Sequence, residues 1–406
     1  MARRSELKAR GGCPVSHNDY RLERDVFENY ELLNEEREAS RFHWNDTTDH
    51  GFWMITRYED VVEALQNHEV FTNDQVNAFF DDMAIQLMPQ NLNQPKHAKL
   101  RRILNPYFSP KTVQRLDDLS RERARALVSD LRDAGRTNLV TGFAILYPTE
   151  LFLALFGLPT EDGEMLLPWV EAVFGGFFGA GDATAEEAEA AAANLDAYFM
   201  RAIEQRRETP GDPSTDLITR LLEARLDDEP IPDRDILTIC TSNLLAGLDT
   251  TRSALGYIFH HLATHPEDRQ QLLDDPSLYP RFVEESIRLY SLIMEDGRQA
   301  VADIDFHGLP IKKGDIVWLG IASANRDPRK FPRPDEFDMN RENLNHHLGF
   351  GAGPHRCIGM HLARRELVIA LEEWHAQIPH YAIAEGTELR ERGGQLRLLD
   401  LPLEWS

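Results

Sequence analysis

Cysteine is scarce in this chain: three in 406 residues, at Cys13, Cys240 and Cys357. An odd count with no short spacing excludes a disulfide framework and a cysteine-built metal cluster, and it suits a reducing compartment. Positive charge is also short, with 44 lysines and arginines against 68 aspartates and glutamates, a formal net charge of −24. That balance argues against nucleic acid or an anionic membrane surface as the main partner. Long apolar runs are missing too. No stretch reaches the length of a membrane span, and Met1 to Asp19 lacks the apolar centre of a signal peptide. No membrane partner is expected, and the expected location is the cytoplasm. Nor is there an internal repeat or an interdomain linker; the runs at 210–213 and 227–230 read as turns. The expected organisation is a flexible tail over residues 1–19 and one monomeric domain over 20–406, with 42% hydrophobic residues to build its core.

What is present is mostly helical periodicity. It predicts helices over 113–133, 146–156, 185–207, 216–226 and 236–264. Gly51 to Tyr58 reads as a strand leading into a short helix over 59–67, and 71–93 reads as a loop carrying apolar side chains. Phe174 to Gly179 mixes aromatics with glycines and breaks the helical pattern, which suggests a mobile loop. The fold class expected is mainly α with a minor β region.

Several stretches carry chemistry. Phe350–Gly–Ala–Gly–Pro–His–Arg–Cys357–Ile–Gly359 places one thiol in a glycine-rich loop ahead of an amphipathic run from Met360. A lone cysteine is most often an inert packing residue, but a thiolate near a helix N-terminus is a strong iron ligand. His97 and Arg101 share one face of a helix that Pro95 can open, where two cationic side chains could clamp a carboxylate. Ala246–Gly–Leu–Asp249–Thr250–Thr251 interrupts a long apolar helix, with Gly247 weakening it and an acid beside an alcohol able to pass protons. Glu285 and Arg288 stand three apart on another helix, a spacing that usually decorates a surface.

Together, in this order, these stretches resemble the cytochrome P450 monooxygenases, and within them soluble bacterial members such as the camphor hydroxylase. The likeness rests on the Cys357 loop, Gly-Leu-Asp-Thr at 247–250, Glu285–Arg288, Asp296–Gly297–Arg298 and Phe306–His–Gly with Lys312–Lys–Gly–Asp315. It implies haem b as cofactor and dioxygen as co-substrate, with Cys357 as the axial iron ligand. It further implies Phe350 and Gly359 around the sulfur, and His97, Arg101, Arg298 and His355 on the haem propionates. Asp249 and Thr250 would deliver the protons that dioxygen cleavage consumes. Glu285 and Arg288 would brace the fold beneath the haem with a third partner, either Arg333 or Arg341. The loop around 174–179 would become a lid over the substrate entrance.

The expected pocket is apolar: Phe79, Phe80, Phe177, Phe178, Leu244, Gly247, Ile293 and Met294. No tyrosine lies between Tyr58 and Tyr107 to hold camphor's ketone, and one extra residue precedes Asp296. A compact, terpenoid-like hydrophobe is therefore favoured over camphor, with a fatty acid as the alternative. No flavin-type or iron–sulfur cysteine cluster is present, so electrons must arrive from a separate ferredoxin or flavodoxin with its reductase. Lys96, Lys99, Arg101, Arg102, Arg356, Arg364 and Arg365 would form the basic face for it. A peroxide-driven peroxygenase or a haem-thiolate sensor would have no use for the Asp249–Thr250 pair.

Overall fold

Helices carry most of the chain, and one six-stranded sheet stands beside them. The computed structural model describes residues 12–79, 86–178, 181–392 and 395–406. The helices around the site are α1 (Tyr58–Gln66), α2 (Lys96–Leu104), α3 (Asp117–Arg132), α4 (Leu146–Leu155), α5 (Gly163–Phe178), α6 (Ala185–Glu208), α7 (Asp233–Thr264), α8 (Tyr279–Leu289) and α9 (Met360–His375). The larger sheet contains β1 (Val15–Ser16), β2 (Phe42–Asn45), β3 (Phe52–Ile55), β4 (Phe71–Thr72), β5 (Asp296–Ala300) and β6 (Ile316–Leu319), in the order β1-β2-β3-β6-β5-β4. β6 runs parallel to β3 and antiparallel to β5, so Trp318 lies between Met54 and Gly297. All four residues of β3 are buried, as an unbroken Phe-Trp-Met-Ile run requires.

Four expectations change. The fold begins before residue 20: Val15 and Ser16 pair with Trp44 and Asn45, and buried Ser16 donates to Glu36. Among the described residues, nothing reads as a tail from Val15 onward. The helix expected over 216–226 ends at Glu223, and Arg225–Leu226 is a short strand paired with Glu229–Pro230.

The break expected at Phe174 is absent, because α5 runs through it to Phe178. The glycines serve packing instead. A Cβ on Gly175 would lie 2.9 Å from Ala183 Cβ, and one on Gly176 would lie 2.5 Å from Ala188 Cβ and the Thr184 carbonyl oxygen. α5 and α6 thus meet backbone to backbone, and α6 starts there in a capping box between Thr184 and Glu187. Nor is α7 interrupted at Gly247. It is one continuous helix of 32 residues, about 48 Å long.

α7 crosses the molecule, and α9 leads away from the cysteine loop. α9 is tied to α3 by ion pairs from Arg121 and Arg125 to Glu373, from Arg121 to Glu372 and from Arg365 to Asp117. These ties fix the helix that follows the cysteine loop.

Candidate active site

Between α7 and the loop before α9 lies a cavity of about 390 Å³. Cys357, Phe350, His355 and Gly359 line one side, and Ala246, Gly247, Thr250 and Thr251 of α7 line another. The loop is shaped by Gly353, whose φ of +69° suits glycine; a Cβ there would lie 2.6 Å from the Leu65 carbonyl at the end of α1. The Cys357 N–H donates to the Phe350 carbonyl at 2.9 Å, which closes the loop around the thiol. Cys357 is accessible and lines the cavity, with protein packed densely around it.

That packing decides its acidity. Burial pushes the thiol pKa up, against the Gly359 N–H and the guanidinium groups of Arg101, Arg364 and Arg356. The helix N-terminus expected to ease ionisation is outweighed by desolvation. A metal ion would reverse that balance by replacing the proton.

At the cavity edge, the rings of His97 and His355 stack with centroids 3.8 Å apart. Both are kept neutral. Burial, then Arg101 and His68, brings His97 down to about 4; burial, then His97, Arg298 and Arg101, brings His355 down to about 2. Gln94 meets Nδ1 of His97, but its buried Nε2 and the buried Nδ1 of His355 have no partner. Arg101 joins them on the wall, bonded to Asn105 and to the Arg356 carbonyl. Three cationic or protonatable groups, two with idle nitrogens, form a donor set suited to carboxylates. Haem b, the cofactor that the resemblance implies, brings its own ring ligands for iron and two carboxylate arms, and the thiol with this donor set fits it.

Arg298 stands apart from the expectation. It is wholly buried behind the wall and clamped by Asp296 at 2.5 and 2.8 Å, and Asp296 is the residue that reaches the cavity.

On α7 the acid and the alcohol diverge. Thr250 faces the cavity and donates to the Ala246 carbonyl at 2.7 Å. Asp249 points away, buried, accepting from Gln395 at 2.5 Å and Arg397 at 3.1 Å. Arg397 and Arg252 also pair with Glu171. Gln395 lines the cavity, so it is the side chain joining the aspartate to that space.

Core packing also corrects the pocket. Leu244 and Met294 are fully buried in the core, and Phe177 packs partly buried against it, while Leu245, Phe174 and Leu292 line the wall instead. On α7 the cavity is lined by Asn243, Leu245, Ala246, Gly247, Thr250 and Thr251, while Leu244 packs into the core against neighbouring helices. At Gly247 a Cβ would crowd the Phe152 ring at 3.0 Å, so the glycine lets that ring keep its place on the wall. Phe79 and Ile293 do line the cavity; Phe80 and the Phe178 side chain lie outside the described residues.

Beneath the site, Glu285 and Arg288 are fully buried and bonded at 2.7 and 2.8 Å. Arg341 completes the set at 3.2 Å from Glu285, whereas Arg333 is exposed on Glu336 and Asp338.

The basic face is thinner than the sequence suggests. Arg364 binds Glu284 and covers the Phe350 ring, Arg365 binds Asp117, Lys96 binds Asp235 and Lys99 binds Asp227. Arg102 and Arg356 stay exposed without a carboxylate partner among the described residues.

Two cavity carboxyls escaped the sequence reading. Glu366 of α9 accepts from Thr251 at 3.3 Å, and burial pushes its pKa up to about 8 against that bond. An acid inside the apolar stripe Leu362, Glu366, Ile369 was its visible signal. Glu295 is the second, in the stretch lengthened by one residue before Asp296.

The comparisons agree with this geometry. The family profile for cytochrome P450 matches residues 177–374. The chain is 33% identical over 364 residues to the mycinamicin IV hydroxylase/epoxidase of Micromonospora griseorubida, covering 87% of this chain and 89% of that one. It is also 33% identical over 352 residues to the methyl-branched lipid omega-hydroxylase of Mycobacterium tuberculosis, covering 82% and 79%. The crystal structure of CYP101J2 superposes with a TM-score of 0.86 at 27% identity, over 97% of both chains. A fold shared along nearly its whole length, and relatives this similar over most of theirs, lead to one conclusion: the chain belongs to the cytochrome P450 family, as a monooxygenase.

Proposed function

We propose that this monooxygenase inserts one oxygen atom of dioxygen into a C–H bond of a compact, mainly hydrophobic guest, with electrons from a separate ferredoxin or flavodoxin. The observation that carries the reading is the cavity itself, with the Cys357 thiol on one wall and Thr250 on another. Haem b, bound there, supplies dioxygen binding and reduction. The chain's own residues do the rest. Cys357 would be the ligand, and His97, Arg101 and His355 would hold the carboxylate arms, with Arg298 bracing Asp296 behind the wall. Thr250 holds a proton at the cavity wall, and Asp249, held by Gln395 and Arg397, is the acid that supplies protons toward it. Phe79, Phe152, Phe174 and Leu245 exclude water and shape the guest.

The fatty-acid alternative gains from the lipid hydroxylase among the relatives. It loses because Arg21, the cation on the cavity wall away from His97 and Arg101, is already held by Asp19 at 2.8 and 2.9 Å. Among the described residues, no helix is long and apolar enough to cross a membrane.

The test is the spectrum of the dithionite-reduced protein under carbon monoxide, for the parent and for Cys357→His. A strongly red-shifted Soret band lost in the variant is expected. A histidine-type band in both proteins would overturn the assignment of Cys357. Turnover with the reductase system but little with peroxide alone would separate a monooxygenase from a peroxygenase or sensor.

A further inference from the structure

Glu295 sits where an apolar pocket has no structural need of an acid. It is 7% exposed and lines the cavity with Ile293, Leu292 and Phe79. One carboxyl oxygen, Oε1, accepts the Ala78 N–H at 3.3 Å, which helps dock the 76–79 segment. The same docking is secured independently by the Gly297 N–H on the Val76 carbonyl at 3.0 Å. The other oxygen, Oε2, is buried and has no partner. A buried polar atom left idle is costly, and it is rare unless something binds it.

The neighbourhood sets its protonation. Burial, then the charge of Asp296, raises the Glu295 pKa well above the usual carboxylate range, against the Ala78 N–H and Arg298. Arg298 is committed to Asp296 and the Gly297 carbonyl. Of the other ionisable groups on the wall, Arg21 is committed to Asp19, Glu366 meets Thr251, and His97, His355 and Arg101 form the separate cluster near the thiol. A neutral carboxyl therefore keeps one unpartnered oxygen at the cavity wall, able to donate a hydrogen bond.

We propose that Glu295 is a substrate-binding residue that donates a hydrogen bond to an oxygen of the guest, so that the substrate class is a compact hydrophobe already bearing a carbonyl or hydroxyl group. This rests on the monooxygenase reading and narrows it. A site built to hydrogen-bond a guest discriminates against the analogue that lacks the matching atom, because the site's own polar group is then left unpaired. The reaction that supplies such a substrate must therefore be one that has already oxygenated the carbon skeleton.

The experiment uses haem-loaded protein that passes the carbon monoxide test, titrated with 2-decalone and with its parent hydrocarbon, decalin, by the spin-state shift of the Soret band. The parent protein should bind the ketone about tenfold more tightly. Glu295→Gln, which keeps a donor, should retain most of that preference, and Glu295→Leu should lose it. Infrared difference spectra provide a second reading that needs no spin change: the C=O stretch of a protonated carboxyl, absent in Glu295→Gln, should shift when the ketone binds. Equal binding of ketone and hydrocarbon by the parent would overturn the proposal, as would a preference that survives in Glu295→Leu. Tighter binding of a trimethylammonium decalin would show a carboxylate rather than an acid, and would also overturn it. So would haem loss in Glu295→Leu with the ligand preference intact, which would mark a cofactor contact. A thiolate spectrum without ketone preference fails this proposal alone; no thiolate spectrum fails the functional reading.

Discussion

The two sides of the cavity are built on opposite principles. On the cysteine side, the charges that brace the loop and its helix are answered by others, and the open groups are gathered at the His97–His355–Arg101 edge. Arg364 meets Glu284, Arg365 meets Asp117, and Glu285 is shared by Arg288, Arg341 and the Asp338 N–H. On the opposite side the polar groups are few and incompletely matched: Thr250 turns back onto its own helix, and one oxygen of Glu295 is idle. Saturated networks hold one geometry, whereas unsatisfied groups await a partner. The first side is made to fix a ligand in place and the second to receive a guest.

The largest test of that difference is to unbalance the saturated side. Glu285→Ala leaves Arg288 and Arg341 buried without their anion, a change that should cost about 3–5 kcal/mol. Denaturant unfolding would measure it, together with loss of bound haem on purification. The matching change across the cavity, Glu295→Leu, removes an idle oxygen together with the acceptor of the Ala78 N–H, and should cost less, about 1–2 kcal/mol. Equal losses in the two variants would erase the contrast.

Next comes Asp249→Asn. The geometry of α7 should survive, since an amide can still meet Gln395 or Arg397, but the proton supply to Thr250 should fall. A decrease of about a hundredfold in turnover is expected, with the substrate-induced spin shift preserved. A change in guest affinity with turnover intact would reassign Asp249 to a purely structural role.

The two groups also respond to pH in opposite directions. His97 and His355 have native pKa values held below the ordinary 6.5, so their neutral pair contributes stability above that value and loses it as pH falls toward about 4 and about 2. Glu366 behaves conversely. Its native pKa of about 8 lies above the ordinary 4.5, so its protonated form is at no disadvantage below 4.5, and stability then declines as pH rises toward 8. Each unit of that rise should cost at most about 1.4 kcal/mol. Glu366→Gln should flatten the alkaline slope and leave the acid slope alone, as read from melting temperatures across the pH range.

These contrasts also explain what could be read from the residues alone. Cys357, Phe350 and His355 lie in one string, and His97–Arg101 and Glu285–Arg288 each lie within about a helical turn, so spacing carries the information. The ties of the opposite side span long separations: Asp249 to Gln395 over 146 residues, Glu366 to Thr251 over 115, and Glu295 to Ala78 over 217. No local pattern announces such pairs. The glycines at 175 and 176 were misleading for the same reason, because the close approach that requires them comes from Ala183, Thr184 and Ala188. The basic face was overestimated because Asp117, Asp227, Asp235 and Glu284 reach it from elsewhere in the chain.

That last point yields the smallest expected effect. Reversing Arg364 would tear Glu284 from its partner and uncover the Phe350 ring beside the thiol, so any slowing of electron transfer would be confounded by damage to the loop. Arg102 is exposed and holds no carboxylate among the described residues, so Arg102→Glu changes the outer field and little else. With an acidic ferredoxin as donor, first-electron transfer should slow by roughly threefold to tenfold at low salt. The difference should fade as ionic strength approaches about 0.15 M, where the screening length falls to about 8 Å. Arg365→Glu, which breaks a pair with Asp117, should instead lower stability without adding to the salt dependence. If both variants gave the same salt-dependent slowing, the pairing seen here would not govern the surface, and the broader basic face read from the sequence would be restored.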